Sequence, residues 1–306
     1  MMMLLVSWIA SYPAEESDLV TAISPASLSS TGNARAIAFT KMHGAGNDFI
    51  LVDNRSFLLG DPEARHLARQ MCPRRTAIGA DGLILMDASP TTDFRMRHYN
   101  PDGSRASFCG NGARCLARFA FRYGLAEPIL RFEADDGLHN AEIQNDQVKL
   151  QMVDPTDIRL GRPLTDFPRL PVIHTLNTGV PHAVALSSDL RLEAVEQRGR
   201  LLRGHPLFQP DGVNVNFFQP LDAANLAVRT YERGVEGETL SCGTGAVACA
   251  VVFALLEDAR PPIRVHTASS EVLTVDFERQ TDGICQVTLE GSALFVFDGN
   301  WLREAL

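Results

Sequence analysis

The sequence predicts an α+β protein with two pseudo-symmetric halves, each a mostly antiparallel β-sheet or barrel wrapped around a central helix. The first observation behind this prediction is a motif that occurs twice, as Cys-Gly-Asn-Gly-Ala at 109–113 and as Cys-Gly-Thr-Gly-Ala at 242–246. The second is that each motif runs into an apolar stretch of helical length. Both stretches are apolar on nearly every side, which is typical of a helix enclosed by strands.

Strand-like landmarks repeat around the two motifs in the same order. An Asp-Gly step enters an apolar run, an Arg-x-Tyr sequence ends a strand, and two strands with alternating apolar and polar residues follow each helix. The paired landmarks lie at 80–82 and 210–212, at 97–100 and 229–232, at 109–113 and 242–246, and at 147–152 and 286–290. This shared order indicates two copies of one unit.

The 306 residues suffice for two domains of ordinary size. We place the first half at 36–153 and the second at 154–289, divided at the proline-rich stretch 154–171. We expect the segment of about 290–306 to return to the first half. Residues 1–35 begin with an apolar run that no basic residue precedes and that is too short to span a bilayer. We expect them to be a disordered extension or the product of a start codon placed too early.

The composition excludes several classes of function. The formal charge of −9 argues against non-specific binding to nucleic acid or to an anionic membrane, although it permits a locally positive site for a small anionic substrate. The six cysteines form no CxxC pair and no Cys/His spacing suited to zinc. We therefore expect reduced thiols in a cytoplasmic enzyme without a structural metal.

The two motif cysteines, Cys109 and Cys242, each stand at a helix start, where free N–H groups and the helix dipole favour a thiolate. Two such thiols across one cleft allow reversible disulfide formation. They also allow proton transfer at carbon, in which one thiolate removes a proton and the opposite thiol returns one to the other face. Pseudo-symmetry suits this second reaction, because acid and base exchange roles with direction. The glycines let main-chain N–H groups approach a ligand, so two helix starts would hold a carboxylate.

The remaining cysteines lack the motif, and we expect a structural role for them: Cys72, Cys115, Cys249 and Cys285. Other polar residues near the landmarks are candidates for the site: Asn47, Asn100, His182, Asn214, Glu232 and Arg233. Of these, Arg233 is best suited to bind a carboxylate through two parallel hydrogen bonds. Asn47 and His182 stand in equivalent loops of the two halves, and the asparagines offer neutral hydrogen bonds.

In these motifs the chain resembles the diaminopimelate epimerase family. The resemblance extends from about residue 36 to the end of the chain. It rests on the segments KMHGAGNDF at 41–49, GADG at 79–82, YNPDGS at 99–104, CGNGAR at 109–114, DGVN at 211–214, YERGV at 231–235 and SCGTGA at 241–246. Together these segments are highly specific, whereas a single CGxG turn is not.

The resemblance implies a cofactor-independent epimerase that interconverts LL- and meso-2,6-diaminopimelate in lysine and peptidoglycan precursor biosynthesis. It makes Cys109 and Cys242 the paired acid and base, with support from His182 and Glu232. It implies that the substrate is bound by Asn47, Asn100, Gly110, Asn111, Asn214, Glu232, Arg233, Gly243 and Thr244. It further implies a cytoplasmic homodimer without metal, nucleic-acid partner or membrane partner.

Two positions depart from the family pattern. Val180 stands where an asparagine often contacts the distal end of the substrate, and Gly82 stands where a glutamine sometimes occurs. These departures leave open a relaxed-specificity or other amino-acid racemase with the same two-cysteine fold. A more distant alternative is a thiol redox protein that uses the same cysteine pair.

Overall fold

The structure is a computed structural model that describes residues 36–56, 59–106, 108–164, 172–281 and 283–302. These residues belong to one compact unit. The predicted extension at 1–35, and the end of the returning segment at 303–306, lie outside the described residues.

The first repeat comprises β1 to β8 with two helices. Its elements are β1 (Ala36–Gly44), β2 (Asn47–Asp53), α1 (Asp61–Met71), β3 (Gly82–Asp87), β4 (Phe94–Tyr99), β5 (Arg105–Ala106), α2 (Gly110–Arg122), β6 (Ile129–Ala134), β7 (Gly137–Gln144) and β8 (Gln147–Gln151). A further strand, β9 (Thr156–Pro163), leads into the rest of the chain.

The second repeat comprises β10 to β17, again with two helices. Its elements are β10 (Val172–Asn177), β11 (Pro181–Leu186), α3 (Val195–Arg203), β12 (Asn214–Asp222), β13 (Asn225–Glu232), β14 (Gly237–Thr239), α4 (Gly243–Glu257), β15 (Ile263–His266), β16 (Val272–Gln280) and β17 (Gly283–Ser292). The last described strand is β18 (Leu294–Leu302).

The strand pairings of the two repeats are the same. In the first repeat β1 and β2 form a hairpin, β2 pairs parallel with β3, and β3 pairs antiparallel with β4. In the second, β10 and β11 form a hairpin, β11 pairs parallel with β12, and β12 pairs antiparallel with β13. Antiparallel pairing of β8 with β17 joins the repeats. The predicted α+β fold with a mostly antiparallel sheet and internal repetition is confirmed.

The strand that follows each repeat pairs with the other repeat. β9 follows the first repeat and pairs antiparallel with β10, whereas β18 follows the second repeat and pairs antiparallel with β1. The exchange is therefore reciprocal: the first strand of each repeat pairs with a strand from beyond that repeat.

The helices differ in how they are buried. α1 places Ala64, Leu67, Ala68 and Met71 on one buried face, the spacing of an amphipathic helix on the surface of a sheet. α4 is buried at every position from 245 to 254, and α2 at most positions of its first three turns. Both helices contribute to one hydrophobic core that the strands surround. The described helices include none that is long and apolar enough to cross a membrane.

Two details differ from the sequence-based predictions. Each central helix is followed by three strands of its own repeat and not two: β6, β7 and β8 follow α2, and β15, β16 and β17 follow α4. The proline-rich stretch 154–171 contains β9, since Pro155 precedes this strand and Pro163 ends it without interrupting its interior.

Candidate active site

The motif cysteines occupy the same position in the two repeats. Cys109 is the N-cap residue of α2, with φ −145° and ψ 114°, and Cys242 is the N-cap residue of α4, with φ −126° and ψ 112°. The sulfur of Cys242 accepts a hydrogen bond from the backbone N–H of Gly245 at 3.4 Å, as N-cap side chains do. Its Sγ also lies 3.5 Å from Oγ1 of Thr244. Both thiols are free and partly exposed.

The second glycine of each motif packs closely against a strand. A Cβ atom at Gly112 would lie 2.6 Å from Cδ1 of Ile84, and one at Gly245 would lie 2.3 Å from Oδ1 of Asn216. At the first glycine of the first motif, Gly110, the nearest atom to a Cβ would be 4.0 Å away. At the first glycine of the second motif, Gly243, a Cβ would lie 3.0 Å from Cδ2 of Leu289, so the helix start is more open in the first repeat than in the second. In both motifs the second glycine lets the helix approach the sheet.

Burial controls the acidity of both thiols. It raises the pKa of the Cys109 thiol and raises that of Cys242 to about 12, while hydrogen bonds from the helix starts act in the opposite direction. The expected helix-end effect is thus present. Desolvation outweighs this effect at both thiols, so the net shift of each pKa is upward.

Glu232 links the two thiols electrostatically. Its charge raises the pKa of both Cys109 and Cys242, and the Cys109 thiol itself adds to the shift of Cys242. Glu232 is half-buried, burial raises its own pKa, and its Oε2 accepts a hydrogen bond from Oγ1 of Thr239 at 2.9 Å. The structure therefore brings these three predicted residues into one electrostatic neighbourhood.

His182 lies on β11 and is only 1% exposed. Its Nδ1 is 2.9 Å from Nδ2 of Asn216, and its buried Nε2 has no partner among the described residues. Burial, with a smaller contribution from the charge of Arg233, lowers the His182 pKa to about 3, so that the imidazole is neutral at physiological pH. His182 pairs in register with Asn214, whose Oδ1 accepts the backbone N–H of Arg233 at 2.9 Å.

The side chain of Arg233 is available to an anionic ligand. Its guanidinium donates to the carbonyl oxygen of Asp211 at 3.3 Å, and no described carboxylate forms an ion pair with it. His182, Asn214 and Arg233 therefore form one group at the neighbouring ends of β11, β12 and β13.

A loop contacts the helix start in each repeat. In the first, Nδ2 of Asn111 donates to Oδ1 of Asn47 at 2.7 Å, and Asn47 in turn donates to Asp81 at 3.1 Å. In the second, Oγ1 of Thr178 donates to the carbonyl oxygen of Thr244 at 3.1 Å. The structure thus joins Asn47 to the helix that Cys109 caps.

Asn100 stands apart from the other candidates. It follows β4 in a turn, where its Nδ2 donates to Oγ of Ser104 at 2.9 Å, and no described hydrogen bond joins it to another predicted residue. Gly82 has a structural explanation, because a Cβ there would lie 2.5 Å from Nε2 of His98. A larger side chain at this position would require the imidazole of His98 to move. Val180 is half-buried, and its carbonyl oxygen accepts the N–H of Thr178 at 3.1 Å.

Sequence reasoning missed two buried polar residues beneath the second motif, Asn216 and Thr230. They face each other in the β12–β13 register, and Oγ1 of Thr230 donates to Oδ1 of Asn216 at 2.9 Å. Strand register places Asn216 where the first repeat has Ile84, because Ile84 pairs with His98 as Asn216 pairs with Thr230. The Asp-Gly landmarks of the sequence align Ile84 with Asn214 instead, so the sequence pattern gives no signal for Asn216. No group of three or more potential metal ligands occurs in the part of the chain that the structure describes.

Comparison with known proteins shows the relationships of the chain. A family model described as diaminopimelate epimerase matches residues 39–158 and 174–294. The diaminopimelate epimerase of Aquifex aeolicus (strain VF5) is 41% identical over 279 residues, which cover 88% of this chain and 99% of that protein. The diaminopimelate epimerase of Chlorobaculum tepidum is 42% identical over 263 residues, which cover 84% of this chain and 98% of that protein.

Solved structures share the fold at low sequence identity. A PhzF-family phenazine biosynthesis protein of Bacillus anthracis has a TM-score of 0.70 at 16% identity and covers 88% of this chain and 100% of its own. A hydroxyproline epimerase from Agrobacterium vitis has a TM-score of 0.64 at 17% identity, over 88% of this chain and 93% of its own. The repeated fold and the sequence relatives define the class as isomerases. Within that class, the chain belongs to the diaminopimelate epimerase family.

Proposed function

We propose that the protein interconverts LL- and meso-2,6-diaminopimelate without a cofactor, as part of lysine and peptidoglycan precursor biosynthesis. One observation carries this proposal beyond family membership. The two thiols cap pseudo-equivalent helices and share one carboxylate neighbour, Glu232. A pair of opposed acid–base groups is what inversion at carbon requires, because the proton leaves one face and another arrives on the opposite face.

In the proposed reaction, one thiolate of the Cys109–Cys242 pair takes the proton from the α-carbon. The negative charge then spreads onto the substrate carboxylate, and the opposite thiol donates its proton to the other face. The raised pKa of both thiols suits the donating role, because an acid must hold its proton until the carbanion forms. The removing thiol must ionise in the complex, where the substrate's ammonium group supplies a nearby positive charge.

The carboxylate is held in this proposal by the two helix starts. Backbone N–H groups there are unpaired and point along the helix axis, so they stabilise charge that develops on the substrate. The residues proposed at the helix starts are Gly110, Asn111, Gly243 and Thr244. The residues proposed around the rest of the substrate are Asn47, Asn100, His182, Asn214, Glu232 and Arg233. Asn100 has the weakest support, since its amide bonds to Ser104.

We also propose a homodimer that acts in the cytoplasm and has neither nucleic acid nor membrane as a partner. The division at 36–153 and 154–289, with about 290–306 returning to the first half, is part of the same proposal. Pairing of β18 with β1 supports the return of the last segment.

The test is to incubate the reduced protein with LL-diaminopimelate in deuterium oxide, without added metal or pyridoxal phosphate. We expect the meso isomer with deuterium at one α-carbon, observed by mass spectrometry and chiral chromatography. Parallel incubations with proline, hydroxyproline and glutamate distinguish a diaminopimelate epimerase from other amino-acid racemases of this fold. Isomer exchange with one of these and none with diaminopimelate would refute the proposed substrate. Reactivity toward thiol reagents alone would instead identify a redox protein.

A further inference from the structure

Three buried side chains form a hydrogen-bonded chain beneath the motif of the second repeat. His182, Asn216 and Thr230 are 1%, 0% and 3% exposed. The amide of Asn216 stands between the other two, with Nδ2 at 2.9 Å from Nδ1 of His182 and Oδ1 at 2.9 Å from Oγ1 of Thr230. Because these groups are buried, their hydrogen bonds decide where the protons are.

The orientation of the Asn216 amide is determined by its neighbours. Its Nδ2 also lies 3.3 Å from the carbonyl oxygen of Ala183, which can only accept. A reversed amide would place Oδ1 against that carbonyl oxygen and Nδ2 against the hydroxyl of Thr230. The observed orientation satisfies all three contacts, so Nδ2 donates to His182 and Nδ1 of the imidazole must be an unprotonated acceptor.

We propose that Asn216 and Thr230 are positioning residues that hold His182 in the tautomer with its proton on Nε2, so that this histidine serves the reaction as a hydrogen-bond donor and not as a base. The role in the reaction rests on the proposed epimerase function, whereas the tautomer rests on the three contacts alone. Nε2 is the buried atom of this imidazole without a described partner, so its N–H is the group left for a ligand.

This tautomer assigns different roles to His182 and to the two thiols. The only basic nitrogen of a neutral imidazole is the one that lacks a proton, and in His182 that nitrogen already accepts from Asn216. Proton removal from carbon therefore falls to the thiols. The Nε2–H of His182 stabilises negative charge as it develops on the substrate carboxylate or on a thiolate sulfur.

The first repeat lacks this device at the same positions. The register pairs Phe49 with Gly82 and Ile84 with His98, just as it pairs His182 with Asn214 and Asn216 with Thr230. Phe49 thus replaces the histidine and Ile84 replaces the asparagine. Ile84 therefore offers a matched control beneath the other cysteine.

The tautomer is measured on full-length protein labelled with ¹⁵N-histidine, by long-range proton–nitrogen NMR correlation. The His182 signals are those that disappear in His182→Gln. We expect an unprotonated Nδ1 and a protonated Nε2 in the wild type. A protonated Nδ1 in the wild type overturns the proposal whether or not the protein acts on diaminopimelate.

Variants test the positioning role. In Asn216→Asp the donor becomes an acceptor of similar size, so Nδ1 of His182 should become protonated and kcat should fall about 100-fold while KM changes less than about threefold. Thr230→Val should lower kcat about tenfold, and Thr230→Ser should restore it to within about twofold. Ile84→Val should leave the His182 signals unchanged.

Two results would contradict this role. One is an Asn216→Asp protein with the wild-type tautomer. The other is loss of kcat in Thr230→Val that the serine variant does not restore. Should Asn216→Asp fail to fold, the threonine pair and the wild-type spectrum decide the question. If the wild-type protein shows the predicted spectrum and yet is inactive on diaminopimelate, that result would confirm the tautomer of His182 and refute only the proposed function.

Discussion

The two helix starts look alike in sequence and backbone but rest on different side chains. Beneath Cys242 lies the polar chain of His182, Asn216 and Thr230, whereas the corresponding positions beneath Cys109 are Phe49, Ile84 and His98. The repeats have therefore kept the backbone frame in which a cysteine caps the central helix. They have diverged on the strands below, where a change of side chain alters the electrostatics without moving the helix.

His98 shows that the first repeat is not simply an apolar version of the second. Its imidazole packs edge-on against Phe49 with ring centres 5.7 Å apart, and neither nitrogen has a described partner. Burial lowers its pKa to about 4, so it is neutral at physiological pH. The imidazole of His98 therefore only packs against its neighbours, whereas the imidazole of His182 accepts a hydrogen bond from the amide of Asn216.

The largest expected effect comes from removing either thiol. If the two repeats contribute one proton-transfer group each, Cys109→Ala and Cys242→Ala should both reduce epimerisation at least about 1000-fold, despite their different surroundings. The measurement is the rate of meso isomer formation from LL-diaminopimelate. Matched controls are Cys115→Ala and Cys249→Ala in the same two helices, which should keep most of the activity. A single motif variant with normal turnover would show that the thiols do not act as a pair.

A smaller effect is expected on stability, where substitution of the second glycine of each motif should have different consequences in the two repeats. Alanine gains about 1 kcal/mol of helix propensity at either position. At Gly112 its methyl meets only the terminal methyl of the buried Ile84 side chain, and the cost of this contact offsets the gain in propensity, so Gly112→Ala should change the free energy of unfolding by less than about 1 kcal/mol. At Gly245 it meets the hydrogen-bonded amide of Asn216, so Gly245→Ala should destabilise by about 2 kcal/mol or more. Urea unfolding measures both, and equal losses would contradict the difference between the repeats.

The smallest effect concerns a feature that the two thiols share. The charge of Glu232 raises the pKa of both, so Glu232→Gln should lower both pKa values and increase the thiolate fraction. Alkylation by iodoacetamide at pH 9 should then be about threefold faster at both cysteines, measured by mass spectrometry of the labelled peptides. Glu236→Gln, an exposed change in the following loop, is the control. Unchanged or slower labelling in the Glu232 variant would contradict the shared electrostatic link.

Much of the fold was predictable because repetition is visible in one sequence. The two motifs, the Asp-Gly steps and the Arg-x-Tyr strand ends all mark equivalent elements, and the helices behind the motifs are apolar enough to be recognised as central. The third strand after α2 was missed because a two-residue turn at 135–136 leaves little trace in the hydrophobic pattern. The strand β9 was missed because its flanking prolines are typical of a linker.

The site was predictable in composition but not in electrostatics. The helix start of Cys242 can be read from the motif, but the burial that raises its pKa to about 12 depends on strands distant in sequence. Asn216 and Thr230 were missed for a related reason, since their importance lies in cross-strand register. The orientation of the Asn216 amide likewise depends on the carbonyl oxygen of Ala183, which lies beside it only in the folded protein.

The reciprocal exchange of β9 and β18 has a consequence for synthesis on the ribosome. The second repeat follows its partner strand β9 along the chain, so it can close its sheet as soon as it emerges. The first repeat must wait for β18, because Ala36 pairs with Leu302 and nearly the whole described chain separates them. During that wait β1 presents an open edge to other nascent chains and to chaperones. The half that is made first is therefore the half that finishes folding last.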